Sequence, residues 1–473
     1  MVGPEVPALS PEAVAAAVGY ADSWLAVRRR LLRLPGVQVA VWHGDGLALS
    51  AAHGLADVDG GVELRPDHLF RIASHSKTFT ATAVFQLRDA GRLRLDDLVG
   101  DWLPGLREAG SPVATRTVSD LLGHAGGLLR DGEDADFWLV GRAFPDAAQL
   151  LAACGQGSAV LPAQTGFKYS NLGYAVLGLV VAAVAGEPYN AYVTREVVER
   201  LGLRDTAPEL DPARAGDLAT GYTGLAHADA RIPIDSVDTR AWSPATGFTS
   251  TAADVCRYAS AHFLGDARLL SDDAKRRMQR DQWEVEPEGS GSYGLGVAVH
   301  DVGGRRLVGH GGGYPGHSTS TLLDPEARLA VSVFTNAIDG AAGELAAGVV
   351  RLVDLAAAQA EPDGEAQVRA RFCGRYANLW AVRDVADLGG RLFLLDPTSP
   401  DPTAARTELR IEDGRTLRIV QTPGYGAPGE SLEFTFDDGG VRGVRGNGGV
   451  AYLPVEAHAA AMAGLDRVRA PQD

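Results

Sequence analysis

Lysine is almost missing from this chain of 473 residues: Lys77, Lys168 and Lys275 are the only three, and arginine supplies the remaining basic side chains. Cysteine is as scarce. Cys154, Cys256 and Cys373 are too scattered for a disulfide framework or a metal site, so neither a metal nor a cofactor is expected. Positive charge is also in deficit, with a net charge of -16 and a pI near 5.2. That balance argues against nucleic acid or an anionic membrane as a partner. No apolar run reaches membrane-spanning length; the densest, Tyr174 to Ala185, reads as a buried helix. The first ten residues hold neither a basic nor an apolar region, so no secretory signal is expected. These absences together lead to the expectation of a soluble, cytoplasmic protein. Its length allows two or three domains with large cores.

Where lysine is rare, its placement is informative. Lys77 closes the tetrad Ser74-His-Ser-Lys77, at the head of a helix-forming run that stops at Gly91. Positions i and i+3 share a helix face, so the Lys77 amine is within reach of the Ser74 hydroxyl. Arginine caps or solvates a helix equally well but does not deprotonate, so only lysine supplies a base there. A serine at a helix start also places its own N–H, and the positive end of the dipole, beside any oxyanion. The competing interpretation is a Ser/Thr-rich helix start with a solvated lysine.

Around this tetrad the chain reads as a helix over 11–34, a hairpin over 37–52, a helix-forming run over 81–90 that the tetrad leads into, and helices over 167–185 and 189–201, with a further helix capped by Thr249-Ser-Thr. A meander of strands follows at 293–300, 306–310, 318–323 and 329–335, and a long amphipathic helix at 343–358 is expected to cover the sheet. The fold class is α+β, a sandwich of antiparallel sheet and helices with a helical insertion. Residues 1–360 are expected to form the catalytic domain, 361–366 a linker, and 367–473 a small all-β domain of short, evenly spaced strands.

Two further motifs carry chemistry. Tyr169-Ser-Asn171 opens a helix, and a phenol beside a lysine ammonium is pushed toward phenolate, a general base. Asn171 is expected to donate its amide to a substrate carbonyl, against the simpler role of a helix cap. His310-Gly-Gly-Gly313 ends an apolar strand, and glycines there suit an edge that a substrate backbone approaches closely. The alternative is a flexible hairpin with a surface histidine. His124, in Gly123-His-Ala-Gly-Gly127, is expected to be a structural loop residue, and His75 a satisfied neighbour of the nucleophile.

In this order, Ser-x-x-Lys, Tyr-x-Asn and His-x-Gly resemble the motifs of the penicillin-binding protein and class C β-lactamase superfamily of serine acyl enzymes. The phrases carrying the resemblance are Phe70-Arg-Ile-Ala-Ser-His-Ser-Lys77, Asp120-Leu-Leu-Gly-His-Ala-Gly-Gly-Leu128, Phe167-Lys-Tyr-Ser-Asn-Leu-Gly-Tyr174 and Gly309-His-Gly-Gly-Gly-Tyr-Pro-Gly316. It spans residues from about 35 to 358. The resemblance implies a β-lactamase-like catalytic domain in which Ser74 attacks an acyl carbonyl and Lys77 shares protons with Tyr169. Asn171 would hold the substrate amide. The oxyanion would sit between the N–H of Ser74 and that of Gly312 or Gly313. His310 stands where many relatives have Lys or Arg, which suits peptidase, esterase and thioesterase branches better than β-lactam hydrolysis.

The C-terminal part looks like the lipocalin-like domain of some members. The layout is similar to penicillin-binding-protein-type thioesterases, which release and macrocyclise nonribosomal peptides, and to D-specific peptidases. The implied partners are a peptide or peptidyl thioester substrate and a peptidyl carrier protein. Asp238 and Trp242 are candidates to line the cleft, and Arg442 and Arg445 candidates to reach it from the β domain. Against these stand a loop-burying aromatic and solvated barrel arginines. The leading expectation is a peptide-releasing cyclase. A D-specific peptidase or esterase is the alternative, and a catalytically silent binding protein on the same scaffold the second.

Overall fold

Two central strands, Gly36–His43 and Leu329–Thr335, run antiparallel with Val39 opposite Val333 and Val41 opposite Val331. Both are buried along nearly their whole length, which is why they read as continuous apolar runs and not as alternating ones. The computed structural model describes residues 7–226, 228–285, 291–358, 364–424, 427–446, 451–463 and 465. Among these the two strands form the middle of a nine-stranded antiparallel sheet. Gly46–Asp57 and Val62–Glu63 extend it on one side. On the other follow His317–Asp324, Arg305–Tyr314, Ala298–Val302, Gly291–Tyr293 and Trp283–Glu284.

Helix Ala252–Ser260 lies against the two central strands, entered through Thr251, whose Oγ1 accepts the Asp254 N–H at 3.2 Å. The mostly buried helix Ser76–Asp89 and the apolar helix Asn171–Ala185 pack together beside it. Gly178 lets the chain at Pro244 press directly onto the second of these, in space a Cβ would fill.

The run 293–300, expected as one strand, is two. Gly296 adopts φ +90°, and the Gly294 N–H bonds the Val297 carbonyl at 2.9 Å, so the chain folds back and Tyr293 pairs with Ala298. An uninterrupted apolar alternation concealed this turn, because glycine is compatible with either path.

The chain divides into two compact units, one holding Leu32–Ala347 and the other Pro7–Leu31 with the chain from Gly348 onward. Helix Ala342–Ala357 runs from one into the other. In the second unit, eight strands from Gly374–Ala377 to Ala451–Pro454 close into a barrel, sealed where Tyr376 pairs with Pro454. Phe372, Leu392, Leu417 and Phe434 belong to its buried interior. Helix Pro11–Leu31 belongs to this unit: the Trp24 indole N–H donates to the Ser399 carbonyl at 3.3 Å, and Gly348 leaves the room that the Trp24 ring takes. Of the expected linker, residues 361–363 lie outside the described residues, as does Val450 of the last expected strand; Ala366–Ala370 is a short helix.

Candidate active site

From His68 to Phe85 every residue but Ser74 is buried. Ser74 sits in a 3-10 turn, Ala73–His75, that continues into helix Ser76–Asp89. Ala73 just before it has φ +47°, a left-handed backbone unusual for a residue with a side chain. Such strain persists where surrounding contacts over-determine it. Here they are visible: the Ile72 N–H bonds the Phe248 carbonyl at 3.0 Å, and Phe70 and Arg71 pair with Ser250 and Thr249.

The Ser74 hydroxyl lies between two groups. Lys77 Nζ is 3.0 Å away and Tyr169 Oη donates to Ser74 Oγ at 2.8 Å. Lys77 is fully buried, also donates to the Ala245 carbonyl at 2.8 Å, and lies 4.8 Å from the centre of the Tyr169 ring. Burial pushes its pKa well below the ordinary lysine value; the Asp131 charge opposes that shift and the Arg130 charge adds to it. Burial pushes the Tyr169 phenol up, only partly offset by the bond to Ser74 and by Arg130. Both directions depart from the expected pairing of an ammonium with a phenolate. The low-cost state of this group is a neutral amine beside a neutral phenol, because the interior penalises both charges.

Tyr169 is held from below by His124, whose ring centre is 4.3 Å away and whose Nδ1 accepts the Ser170 N–H at 3.1 Å. His124 is buried and kept neutral, its pKa held well below the ordinary value by burial. Ser170, not Asn171, is the helix cap; its Oγ accepts the Gly173 N–H at 2.9 Å. Asn171 is buried and gives its Nδ2 to Asp131 Oδ1 at 2.7 Å. That bond commits one of the two amide N–H groups of Asn171 to Asp131, while its buried Oδ1 has no hydrogen-bond partner among the described residues.

Strand Arg305–Tyr314 pairs with Ala298–Val302 only as far as Gly309, so from His310 to Tyr314 its second edge is open. Gly311 and Gly313 are exposed there, whereas Gly312 backs onto the Ile72 carbonyl in space a Cβ would occupy. The glycine run therefore lets the strand touch the nucleophile turn on one side and present bare backbone on the other. His310 is buried beside the trio, 6.5 Å from Tyr169 between ring centres, with Nε2 3.1 Å from the Tyr293 hydroxyl. Burial holds its pKa well below the ordinary value, so it is a neutral hydrogen-bonding group and not a cation. His75 points away into the sheet, its Nε2 2.9 Å from Thr321 Oγ1, and is pushed down to about 4 by burial.

Asp238 is exposed, and its Oδ1 accepts the Arg240 N–H in a local turn. Trp242 is completely buried, its ring centre 5.2 Å from that of Phe137. Arg442 and Arg445 are exposed on strand Gly440–Gly446 of the barrel unit.

Sequence reasoning passed over Arg130 and Asp131. The Arg130 guanidinium lies 5.1 Å from the centre of the Tyr169 ring; Asp131 accepts from Asn171 and from Trp138 Nε1 at 3.0 Å, and forms an ion pair with Arg130 Nε at 3.4 Å. The signal was an adjacent pair of opposite charges right after the apolar Gly126-Gly-Leu-Leu129. The Ala245 carbonyl left no signal, since any residue provides one.

A family model described as Beta-lactamase matches residues 24–355. Penicillin-binding protein 4 of Amycolatopsis lactamdurans is 31% identical over 354 residues, 70% of this chain and 90% of that protein. The crystal structure of SurE covers 93% of this chain and 100% of its own, at 25% identity and a TM-score of 0.60. D-amino acid amidase from Ochrobactrum anthropi SV3, complexed with L-phenylalanine, covers 72% of this chain and 96% of its own, at 26% identity and a TM-score of 0.58.

Proposed function

The chain belongs to the β-lactamase family, whose members are serine hydrolases, and from that premise we propose that it acts through a Ser74 acyl-enzyme on peptides with a D-residue at the acyl end, releasing and macrocyclising them from a carrier thioester. The observation that carries the acyl-enzyme step is the Ser74 hydroxyl held at once by the buried Lys77 amine and the Tyr169 phenol. In the first step the neutral Lys77 amine takes the Ser74 proton as Oγ bonds to the acyl carbon. The oxyanion is met by the Ser74 N–H and by Gly313 on the open strand edge. As the carbonyl re-forms, the bond to the leaving thiol breaks and Tyr169 hands its proton to that sulfur, regaining one from Lys77. An amine of the same peptide then attacks the ester carbon and gives a proton to the neutral Lys77; the acyl C–O bond breaks, Tyr169 returns a proton to Ser74 Oγ and regains one from Lys77, which closes the ring and frees Ser74.

Three features support the substrate class. The neutral His310 offers no cation to a leaving-group carboxylate, which suits a thioester, ester or amide over a free peptide C-terminus. The match to SurE runs over 93% of the chain, a span that includes much of the barrel unit. The match to a D-amino acid amidase points to D-configuration. The same amidase supports the second reading, a D-specific hydrolase, in which water takes the acyl group. A peptidyl carrier protein as partner and a cytoplasmic setting belong to the first reading.

A fluorophosphonate probe followed by intact mass tests the nucleophile. One adduct is expected on the wild type and none on Ser74→Ala; equal labelling of both would refute the acyl-enzyme and leave a binding protein. A peptidyl thioester with a C-terminal D-residue and free N-terminus tests the acceptor. Cyclic product is expected, and linear acid at every pH would select the hydrolase.

A further inference from the structure

Tyr169 sits between two backbone N–H groups that both go to one residue. The Lys168 N–H donates to the His124 carbonyl at 2.8 Å, and the Ser170 N–H donates to His124 Nδ1 at 3.1 Å. His124 therefore brackets the residue whose hydroxyl reaches Ser74 Oγ at 2.8 Å. Its ring adds a third contact, with its centre 4.3 Å from that of Tyr169. Ala125 extends the tie, its carbonyl accepting the Gln164 N–H at 2.8 Å.

The bracket has two local costs. His124 has φ +57°, a left-handed backbone uncommon for a residue with a side chain. Its Nε2 is buried with no hydrogen-bond partner among the described residues. The second cost follows from the tautomer. A backbone N–H only donates, so Nδ1 carries the lone pair and the proton of the neutral ring sits on Nε2. That N–H is enclosed by the rings of Tyr169, Tyr293, Tyr174 and Phe167, whose centres lie 4.3 to 5.5 Å from that of His124. An unpaired buried donor lowers stability, so a loop that keeps one on a strained backbone retains the ring for what Nδ1 does.

We propose that His124 is the positioning residue for Tyr169: its carbonyl and its Nδ1 fix the backbone on either side, so that the phenol meets both the Ser74 oxygen and the leaving atom. This rests on the acyl-enzyme reading above and deepens it by assigning what holds the general acid in place. His124 touches no reacting atom and acts through Tyr169 alone. A protonated ring would turn Nδ1 into a donor facing the Ser170 N–H, so the bracket needs the neutral ring that burial enforces.

The test uses the full chain and two esters of one acyl group, a nitrophenyl ester and a simple alkyl ester, with acylation read as kcat/KM. Nitrophenolate leaves unaided, whereas an alkoxide needs the proton that Tyr169 delivers. In His124→Gln the side-chain oxygen sits one bond beyond the Nδ1 position. There the alkyl ester is expected to lose about 10²-fold, the scale of a misplacement of about 1 Å, and the nitrophenyl ester little. His124→Asn tolerates the left-handed backbone and puts Oδ1 where Nδ1 was, so it should hold both rates within about three-fold of wild type. In a Tyr169→Phe background, His124→Gln should cost no more than about a further two-fold, because the phenol it acts through is gone. Equal losses of both esters in His124→Gln, or losses that multiply in the Tyr169→Phe background, overturn the proposal, since a general loosening of the fold produces them. So does a slow alkyl ester in a His124→Asn protein that unfolds at the wild-type temperature. If a variant does not fold, the wild type decides: nitrogen NMR of histidine-labelled protein is expected to show the His124 proton on Nε2, and a proton on Nδ1 overturns the bracket. An unchanged ester ratio in Tyr169→Phe alone, with Ser74 still labelled by fluorophosphonate, overturns Tyr169 as the acid in the reading above and the positioning role with it.

Discussion

At the scale of single residues, the protonation of Lys77 governs the site. An amine acts as base only when neutral, so acylation rises with pH through the Lys77 pKa. Burial lowers that pKa, and the acid limb of kcat/KM is therefore expected well below the usual lysine range of about 10. Neighbouring charges move the limb in opposite directions. Asp131 raises the Lys77 pKa, so Asp131→Asn shifts the limb to lower pH; Arg130 lowers it, so Arg130→Gln shifts it to higher pH. The second shift is the smaller, because the Arg130 side chain is 65% exposed and screened by solvent. A limb that stays put in both variants would mean that another group is the base. Lys77→Arg, unable to deprotonate, is expected to lose at least about a thousand-fold in acylation rate, and Tyr169→Phe about 10²- to 10⁴-fold, the range of general acid–base catalysis. Burst kinetics with a chromogenic ester would measure both.

Between elements, the site depends on one short segment being pinned to the nucleophile turn. Lys77 holds the Ala245 carbonyl, Thr80 Oγ1 the Pro244 carbonyl at 2.7 Å, and Ser76 Oγ the Phe248 N–H at 3.1 Å. Arg71 holds the Gly247 carbonyl at 2.8 Å and the Val237 carbonyl at 2.8 Å, and pairs with Glu209, which itself accepts from Thr239. The opposite side of the turn is closed by the glycine strand. Gly312→Ala places a Cβ on the Ile72 carbonyl, backbone that cannot step aside, whereas Gly313→Ala meets nothing nearer than Ile338 Cδ1 at 4.0 Å. The first variant is expected to lose more than about 1 kcal/mol of stability and most of its fluorophosphonate labelling rate. The second should keep wild-type stability. Thermal unfolding and labelling of the pair would check this, and equal behaviour would argue against the close approach of strand and turn.

Over the whole molecule, buried histidines tie stability to pH. Burial pushes His75 and His317 down to about 4 and His262 down to about 3, against about 6.5 in an unfolded chain. The unfolded state therefore takes up these protons first. The contribution is fully present above about pH 6.5 and is lost as the pH falls from there toward 4, by up to about 3 kcal/mol for each histidine near pH 4. Urea midpoints at pH 7.5, 5.5 and 4.5 should fall in that order. A flat profile would show that these rings are hydrated in solution.

Much of this was written in local sequence. Ser74 and Lys77 meet because a helix brings i and i+3 together, and lysine scarcity marked the pair. The α+β order of elements followed from apolar runs and turn residues, as did the β character of the C-terminal part, although the closure of eight strands into a barrel is a property of their pairing. The convergence of Tyr169 and His310 on Ser74 was expected from the order of the motifs, but long-range packing sets the distances. Tertiary structure alone decided the rest. Whether Lys77 is an amine or an ammonium depends on how much water reaches it. Which atom of Asn171 is committed depends on Asp131, forty residues away in the chain. Gly296 turns the chain because Tyr293 has Ala298 to pair with. Residue type and spacing specify what chemistry is available; burial and through-space neighbours, which no local pattern encodes, specify the charge state in which it is held.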